Sequence, residues 1–577
     1  MQWKTIAQNW LNQLTNEDPM KNELTELLRN DQLAEDCFYK DLEFGTGGIR
    51  GVMGPGTNRL NIYTVRKVAL GLAQYVAEQG ESAMKRGVAI SYDSRHLSEE
   101  FAFEMAKVIS GQRVTAYLFD ALRPTPLLSF AVRHLQAFAG VMITASHNPP
   151  EYNGLKVYGE DGAQLPPEAA DVIINYIEKS GSNLIQDTIN TEQLQSQGLL
   201  VSIGDAVDQA YIKELQTIRI NKEVNDVSIV FTALHGTASK PMQQTFESFG
   251  FANVQYVKEQ EQPDPNFSTV KSPNPEETGA FELAIQYGEK VGAELLLATD
   301  PDADRLGVAV RDEQQQFKLL TGNQIGTVIL NYLLEEKLNA GELPRNSVVM
   351  KTIVSTDIVS AMATKHDIET VNLLTGFKFI AEKILEYEKS KEHSFLFGFE
   401  ESYGYLIGDF VRDKDAIQTA AFIGEIAAVY KARGKTIYQV LQEIYEEYGF
   451  YKEQTLSITL EGKGGAEQIT QIMDSFRNNA PSAIHDINIQ RVEDYNSGKS
   501  IDYITGMKSS IQLPTSNVLK YHLENGAWFV IRPSGTEPKC KFYFATRGQT
   551  EQEAAETLKI ISDSVLNRVQ TEILEKA

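Results

Sequence analysis

One layout occurs three times in this chain of 577 residues: a short apolar strand, a helix, a second strand, and a third strand that runs directly into a polar loop. The third strands are predicted at 140–144, 295–299 and 394–397. Apolar, β-branched runs alternating with helical periodicity are typical of α/β layers with mixed or mostly parallel sheets. We therefore predict three related α/β domains, each with its functional loop after its third strand. The alternative is one large doubly wound sheet.

The chain after about residue 451 has a different order of elements: strand, helix, loop, strand, helix. This order predicts a separate, smaller α+β domain. A chain of this length is expected to hold about three to five domains. We expect four, with boundaries at 1–206, 207–321, 322–452 and 453–577.

Charge and composition exclude several classes of protein. The chain has 54 basic and 78 acidic residues and a net charge of −24, which disfavours binding to nucleic acid or to an anionic membrane. The two cysteines, Cys37 and Cys540, are far apart and predict neither a disulfide framework nor a cysteine metal site. Neither a signal peptide nor an apolar run of about 18 residues is visible, so we expect a cytoplasmic protein. The sequence does not determine the oligomeric state; our expectation is a monomer or a weak homo-oligomer.

The first polar loop is Thr144-Ala-Ser-His-Asn-Pro-Pro150. A serine at a strand end, beside a histidine and two prolines, is presented on a stiff turn, as suits a hydroxyl that is attacked or phosphorylated. Ser146 is the candidate nucleophile, and a simple turn is the alternative. The Gly-x-Ser-x-Gly pattern of a hydrolase nucleophile elbow is absent from this loop.

The second loop, Asp300-Pro-Asp-Ala-Asp-Arg305, has carboxylates at every other position. Asp300, Asp302 and Asp304 can converge on one hard cation, and Mg²⁺ is the natural occupant. An EF-hand is excluded, because Arg305 and Arg311 occupy the positions that require Gly and Glu. A solvated acidic turn is the alternative, but the position after a buried strand favours a ligand site.

Two later loops carry polar groups suited to a phosphorylated sugar. Gly398-Phe-Glu-Glu-Ser-Tyr-Gly404 has adjacent carboxylates and a serine that suit sugar hydroxyls. Arg532-Pro-Ser-Gly-Thr-Glu-Pro-Lys539 combines cations, hydroxyls and glycine N–H groups that suit a phosphate dianion. Two weaker signals are the glycine-rich segment ending at Arg50 and the Thr375-Gly-Phe-Lys378 segment.

Taken together and in this order, the four loops resemble those of the α-D-phosphohexomutase family, the phosphoglucomutases and phosphomannomutases. Residues 144–149 resemble the phosphoserine loop, 300–305 the Mg²⁺ loop, 400–402 the sugar-hydroxyl loop and 532–537 the phosphate loop. The longer forms at 148–156 and 398–404 are similar to the branch of bacterial phosphoglucomutases and phosphopentomutase-like enzymes. The resemblance spans nearly the whole chain and implies three α/β domains and a C-terminal lid around one cleft.

The resemblance also implies an activity: reversible intramolecular phosphoryl transfer that interconverts glucose 1-phosphate and glucose 6-phosphate. The reaction would pass through an enzyme phosphoserine and a glucose 1,6-bisphosphate intermediate. The catalytic residues would be Ser146, His147, Lys156 and Arg50, with His147 and Lys156 as candidate proton carriers; His147 is equally suited to orienting the serine loop. Mg²⁺ would be held by Asp300, Asp302, Asp304 and the phosphate on Ser146. The substrate would contact Arg305, Gly376, Lys378, Glu400, Ser402, Arg532, Ser534, Gly535, Thr536 and Lys539.

Several alternatives share this chemistry. A phosphomannomutase or phosphopentomutase would use the same residues, because the motifs do not determine the sugar. A Mg²⁺-dependent sugar-phosphate phosphatase would release phosphate to water, and a non-catalytic sugar-phosphate binding protein would not turn over at all.

Overall fold

The structure is a computed structural model that describes residues 2–42, 48–179, 181, 183–185, 190–460, 462–534 and 539–574. The chain forms two compact units. One comprises Met1–Ile325 and Phe377–Ile437, and the other comprises Gly326–Gly376 and Tyr438–Ala577.

The first sheet has six strands in the order β1-β5-β4-β2-β3-β6. They are β1 (Gly48–Val52), β2 (Val88–Tyr92), β3 (Ala116–Phe119), β4 (Ala139–Ile143), β5 (Tyr152–Tyr158) and β6 (Leu200–Ile203). The helices of this region are α1 (Gln2–Gln13), α2 (Pro19–Leu27), α3 (Asp31–Phe38), α4 (Ile62–Glu78), α5 (Glu81–Arg86), α6 (Ser98–Gly111), α7 (Thr125–His134), α8 (Pro167–Lys179) and α9 (Thr191–Ser196). Strands β2, β3, β4 and β6 are parallel, and every residue of β2 and β4 is buried. This burial explains why both strands read as continuous apolar runs.

The sequence prediction did not include β5, which returns antiparallel to β4 directly after the Ser146 loop. The chain comes very close to its neighbours here: a Cβ on Gly154 would lie 2.4 Å from the Ile49 carbonyl oxygen and 2.8 Å from that of Thr144. Only glycine fits between these strands. The return strand places Lys156 opposite Met142 of β4.

The second sheet has the order β11-β10-β9-β7-β8. Its strands are β7 (Ile229–Thr232), β8 (Val254–Tyr256), β9 (Leu295–Thr299), β10 (Leu306–Arg311) and β11 (Phe317–Leu319), with helices α10 (Asp205–Leu215), α11 (Ser239–Phe249) and α12 (Glu282–Val291) and short 3₁₀ turns at Gln216–Ile218, Lys258–Gln260 and Thr278–Phe281. Strands β8 and β9 are parallel to β7, whereas β10 returns antiparallel to β9. The polar loop 300–305 therefore connects two antiparallel neighbours, as the Ser146 loop does.

The third region follows the predicted order of elements. It contains α13 (Gly322–Ala340), β12 (Ser347–Thr352), α14 (Ile358–Lys365), β13 (Glu369–Leu373), α15 (Phe377–Ser390), β14 (Ser394–Glu400), β15 (Gly404–Leu406), α16 (Ala416–Ala432) and α17 (Ile437–Tyr448). Within the second unit β12 and β13 are parallel, and within the first unit β14 and β15 are antiparallel. Asp415 caps α16 by accepting from the backbone N–H groups of Ile417 and Gln418.

The C-terminal region is a separate antiparallel sheet with flanking helices, as predicted. Its elements are β16 (Phe450–Thr459), α18 (Gly462–Asn478), β17 (Ala483–Ile484), β18 (Ile487–Asp494), β19 (Lys499–Asp502), β20 (Lys508–Ser510), β21 (Leu519–Leu523), β22 (Trp528–Pro533), β23 (Lys539–Gly548), α19 (Glu551–Asn567) and a π-helix at Arg568–Leu574. The strand order is β16-β23-β22-β21-β18-β19-β20, and β17 pairs with β18. The prediction of successive α/β domains followed by an α+β domain is thus confirmed. Among the described residues, every helix is too short or too polar to cross a bilayer.

Candidate active site

The Ser146 loop is held in a strained conformation at the end of β4. Ser146 is buried and has a φ of +52°, which is unusual for a residue other than glycine. Its backbone N–H donates to the Thr144 hydroxyl at 2.8 Å. Such conformations persist where the surroundings fix them, and they are common at functional sites.

A buried guanidinium holds this loop in place. Arg95 donates to four backbone carbonyl oxygens of the loop, those of Ser146, Asn148, Pro149 and Tyr152. The Asp93 carboxylate lies 3.3 Å from Arg95 Nε and supplies the counter-charge. The sequence analysis assigned no role to Arg95, so this positioning role is a finding of the structure.

The three aspartates converge as predicted. Asp300, Asp302 and Asp304 are buried, and one carboxylate oxygen from each lies within 4.8 Å of the others. Asp300 Oδ1 accepts from the backbone N–H groups of Asp304 and Arg305, which closes the loop. Asp302 Oδ1 and Asp304 Oδ1 are buried without a hydrogen-bond partner. Hard oxygen ligands with unsatisfied acceptor capacity fit a divalent cation such as Mg²⁺.

The serine and the aspartates come from different sheets but are in direct contact. Ser146 Oγ donates to Asp300 Oδ2 at 2.7 Å, and His147 Nδ1 lies 3.2 Å from the same hydroxyl. The Thr125 hydroxyl, at the start of α7, donates to Asp302 Oδ2 at 2.8 Å. The two loops therefore form one site.

Two lysines partly neutralise the carboxylates. Lys156 Nζ lies 2.7 Å from Asp302 Oδ2 and 2.9 Å from Asp304 Oδ2, and Lys414 Nζ lies 3.1 Å from Asp304 Oδ2. Lys156 was predicted as a site residue, whereas Lys414 was not. Lys414 lies more than 100 positions from Asp304 in sequence and belongs to no loop motif, so no local signal marks it.

These contacts set the protonation states. Burial and the neighbouring Asp302 and Asp304 carboxylates raise the pKa of Asp300. Burial opposes ionisation of Asp304 as well, but Lys156, Lys414 and Arg305 outweigh it and hold the pKa of that carboxyl well below its usual value. Burial would likewise lower the pKa of Lys156, but Asp302 and Asp304 raise it instead, so Lys156 is protonated at pH 7.

His147 is in an environment that favours its neutral form. Burial lowers its pKa well below the usual value, and the nearby cations Arg305 and Arg50 lower it further. Arg50 itself is exposed and donates to Asn148 Oδ1 at 2.7 Å. Arg50 therefore contacts the serine loop that contains His147, and the catalytic roles of both residues stay predictions.

The third loop reaches the same group of charges. Glu400, the last residue of β14, is buried and close enough to help raise the pKa of both Arg305 and Lys414. Arg305 forms an ion pair with Glu276, which the sequence analysis did not predict. Ser402 follows Glu400 and is partly buried.

Lys378 occupies a different environment. It lies in the first turn of α15 and lines a cavity of about 470 Å³ together with Arg133, Tyr158 and Asp161. Gly376, two residues earlier, has a φ of +119°, a conformation that favours glycine.

The predicted phosphate loop lies in the second unit and is described in part. Arg532 is at the end of β22 opposite Lys541 of β23, and the Ser534 N–H donates to the Lys539 carbonyl oxygen at 2.8 Å. Gly535 and Thr536 lie outside the described residues.

Comparison with known proteins identifies the family of this chain. Four models of the phosphoglucomutase/phosphomannomutase family match: alpha/beta/alpha domain I over 41–184, domain II over 209–314, domain III over 321–448 and the C-terminal domain over 487–563. A phosphoglucomutase of Staphylococcus haemolyticus is 41% identical over 512 residues, which cover 89% of this chain and 91% of the relative. A phosphoglucomutase of Staphylococcus aureus strain USA300 is 40% identical over 521 residues, 90% of this chain and 92% of the relative.

Solved structures share the fold at lower identity. A putative phosphomannomutase from Thermus thermophilus superposes with a TM-score of 0.69 at 21% identity, covering 92% of this chain and 99% of that one. With all four family models matched in order and curated relatives 40–41% identical over about nine tenths of its length, the chain belongs to the phosphoglucomutase/phosphomannomutase family.

Proposed function

We propose that this chain interconverts glucose 1-phosphate and glucose 6-phosphate through a phosphate carried on Ser146, with glucose 1,6-bisphosphate as the intermediate. The observation that carries the proposal is the Ser146 hydroxyl, 2.7 Å from Asp300 at the edge of three converging buried carboxylates. The name phosphoglucomutase on the relatives that are 40–41% identical supports glucose as the sugar.

In this proposal Asp300, Asp302 and Asp304 hold Mg²⁺ beside Ser146. Two of them have a buried oxygen without a hydrogen-bond partner, which is the acceptor capacity that a metal ion would use. When bound, Mg²⁺ would neutralise charge that develops on the transferred phosphoryl group. Lys156, Lys414, Arg305 and Arg50 add fixed positive charge around the same hydroxyl, which also explains how a chain of net charge −24 can bind phosphates.

The transfer step breaks the bond between phosphorus and Ser146 Oγ and forms a bond to a sugar hydroxyl oxygen. The sugar hydroxyl must lose its proton, and Ser146 Oγ must regain one. The proposed carriers have complementary states: His147 is neutral and can accept a proton, whereas Lys156 is protonated and can donate one. The reverse transfer to the other end of the sugar would use the same groups in opposite roles.

Substrate contacts complete the proposal. Glu400 and Ser402 would bind the sugar hydroxyls, and Arg305, Gly376 and Lys378 would contact the substrate near them. The phosphate that is not being transferred would bind to Arg532, Ser534, Gly535, Thr536 and Lys539. We also propose a cytoplasmic enzyme, monomeric or weakly homo-oligomeric, in keeping with free thiols at Cys37 and Cys540.

The first test is Ser146→Ala. We expect turnover to fall by at least about a thousandfold, because the group that carries the phosphate is lost. Intact-mass analysis of the purified chain should lose a phosphate-sized increment at the same time. Ser110→Ala is the matched control: Ser110 is also buried, but its hydroxyl donates to carbonyl oxygens within α6, those of Ala106 and Lys107. Normal turnover in Ser146→Ala would refute the phosphoserine scheme.

The sugar is tested by kcat/KM for glucose 1-phosphate, mannose 1-phosphate and ribose 1-phosphate, with Mg²⁺ and a trace of the matching bisphosphate. We expect kcat/KM to be at least tenfold higher for glucose 1-phosphate, which corresponds to about 1.4 kcal/mol of transition-state preference. Comparable hexose rates would instead make the enzyme a dual-specificity hexomutase, and a ribose lead would make it a phosphopentomutase. Inorganic phosphate released faster than the isomer forms would identify a phosphatase.

A further inference from the structure

A second cavity lies at the same edge of the first sheet as the Ser146 loop, but at the other side of the strand order. It has a volume of about 490 Å³ and is lined by the last residues of β2 and β3 and by residues 200–202 of β6. The lining residues that matter chemically are three aromatic and three acidic ones: Tyr92, Phe103, Phe119, Glu99, Glu100 and Asp120. The volume is within the range of small-molecule sites in proteins.

The charge of this cavity is one-sided. Its lining, which consists of described residues, includes three carboxylates and no lysine, arginine or histidine. Glu99 and Glu100 are exposed in the first turn of α6, and neither forms an ion pair with a described residue. Asp120 Oδ1 lies 3.1 Å from Arg123 Nη2, but Arg123 also binds the Asp208 carboxylate at 2.9 Å, so its charge is already offset. The cavity therefore has a surplus of negative charge.

The Tyr92 hydroxyl is an independent indication of a ligand. The side chain is only 6% exposed, and it forms no hydrogen bond to any described residue. A buried tyrosine hydroxyl normally has a partner. Burial raises the pKa of Tyr92 to about 12; Glu99, Asp120 and Glu100 raise it further and Arg123 lowers it, so the hydroxyl lies near three carboxylates and one guanidinium. The wall of the cavity thus includes a hydroxyl oxygen without a hydrogen-bond partner among the described residues, on a side chain that is otherwise buried.

The aromatic side chains suit a cation on an apolar stem. Phe103 and Phe119 already carry cations near their rings: Lys107 Nζ is 5.5 Å from the Phe103 centroid, and the Arg123 guanidinium carbon is 5.6 Å from the Phe119 centroid. Rings in such surroundings attract cations through their negative faces. An alkyl stem would contact the apolar wall that includes Leu118 and Leu200.

We propose that this cavity binds an organic cation, a primary ammonium or guanidinium group on a short aliphatic stem. Glu99, Glu100 and Asp120 provide the negative field, the aromatic rings contact the stem and the cation, and the Tyr92 oxygen accepts a hydrogen bond from the cation. The same chemistry is offered by a free alkylamine or guanidine and by the basic side chain of an incoming polypeptide. The site is distinct from the residues assigned to phosphoryl transfer and does not depend on that assignment.

The experiment is calorimetric titration of the intact protein with butylguanidinium, with 1-pentanol and pentanoate as neutral and anionic probes of similar length. Turnover is unsuitable as the readout, because free cations also pair with substrate phosphates. We expect butylguanidinium to bind with a Kd on the order of 1 mM, and the other two probes to bind at least about tenfold more weakly. Equal binding of 1-pentanol would overturn the proposal, since it would show an apolar cavity without cation preference.

Variants locate the binding. Glu99→Gln with Glu100→Gln changes exposed side chains and should weaken butylguanidinium binding at least about tenfold. Tyr92→Phe removes only the hydroxyl and should weaken it about threefold, the effect of one hydrogen bond. Glu247→Gln with Glu282→Gln is the control, because it changes the net charge equally at exposed positions of α11 and α12. Unchanged binding in the first variant, or an equal loss in the control, would refute the site.

A final arm separates the two sources of the cation. A capped Ala-Arg-Ala peptide is titrated alongside butylguanidinium. Peptide binding of equal or greater strength would support recognition of a basic side chain, and binding of butylguanidinium alone would support a free small molecule. If neither binds, the proposal fails.

Discussion

Two buried groups of charged side chains, one in each unit, are unbalanced in opposite directions. The triaspartate cluster comprises Asp300, Asp302, Asp304, Lys156 and Lys414, so carboxylates outnumber lysines. In the lysine cluster, Lys351 and Lys520 share one carboxylate, that of Asp357.

The two clusters differ in how the surplus charge is satisfied. In the lysine cluster the protein supplies every partner: Lys520 Nζ donates to the Ile353 carbonyl oxygen at 2.6 Å, and Lys351 Nζ donates to that of Ser355 at 3.1 Å. Asp357 accepts from Lys351 and from Trp528 Nε1, and Lys520 Nζ lies 4.3 Å from the Trp528 ring centroid.

In the triaspartate cluster two carboxylate oxygens have no hydrogen-bond partner. Charged groups whose hydrogen-bond partners all come from the protein have a structural role. Buried carboxylate oxygens without a partner instead indicate a binding site for an external cation. The comparison separates a binding site from a structural contact without reference to any motif.

The strongest test removes one carboxylate from the triaspartate cluster. Asp302→Ala should lower turnover at least about a hundredfold, because a metal ligand beside the transferred phosphoryl group is lost. We expect Mg²⁺ to raise the melting temperature of the unmodified protein, and Asp302→Ala should abolish that rise. Differential scanning fluorimetry across a MgCl₂ series measures the second effect separately from activity. A full Mg²⁺ response in Asp302→Ala would show that the ion binds elsewhere.

Asp357→Asn tests the lysine cluster. It removes the carboxylate that pairs with Lys351 and weakens the negative field at Lys520, where Glu493 remains. We expect it to lower the free energy of unfolding by about 2 kcal/mol, less than for a fully buried pair because the Asp357 side chain is 42% exposed. The response to Mg²⁺ should be unchanged. Urea unfolding measures the free energy of unfolding. The control is Glu447→Gln in the exposed Lys365–Glu447 pair, which should lower this free energy by less than about 1 kcal/mol. A similar loss in both variants would contradict the structural role of the cluster.

The last test is a pH dependence, which is a gradual change per pH unit. Burial lowers the pKa of Lys520 to about 8, and the attraction of Asp357 only partly offsets this. Between pH 8 and about 10 the unfolded chain therefore binds more protons at this residue than the folded chain, so this residue's contribution to stability rises with pH. The slope is at most about 1.4 kcal/mol per pH unit. Urea unfolding across this pH range measures the free energy of unfolding of the unmodified protein and of Lys520→Met. The difference between the two free energies should change with pH by that slope, and a difference that does not change with pH would rule out the lowered pKa.

The sequence predicted the strands that carry the chemistry more accurately than it predicted their surroundings. The third strands were expected at 140–144, 295–299 and 394–397, and the structure has them at Ala139–Ile143, Leu295–Thr299 and Ser394–Glu400. Strand β5 was missed, although Leu155 and Val157 alternate with partly buried and polar neighbours in a strand pattern. The sequence analysis treated residues 148–156 as one loop motif, because the Asn-Pro-Pro turn at its start is typical of a loop.

By itself the sequence determined the α/β class, the loop positions and the candidate nucleophile and metal ligands. These features are local: apolar runs report burial, and polar residues at strand ends report where ligands bind.

The tertiary structure alone decided which groups surround them. Lys414 beside Asp304, Arg95 under the serine loop, Thr125 on Asp302 and the unpartnered Tyr92 hydroxyl follow from how the sheets pack. The physical reason is that a side chain's partners depend on distances between segments far apart in sequence, which no local pattern of burial specifies.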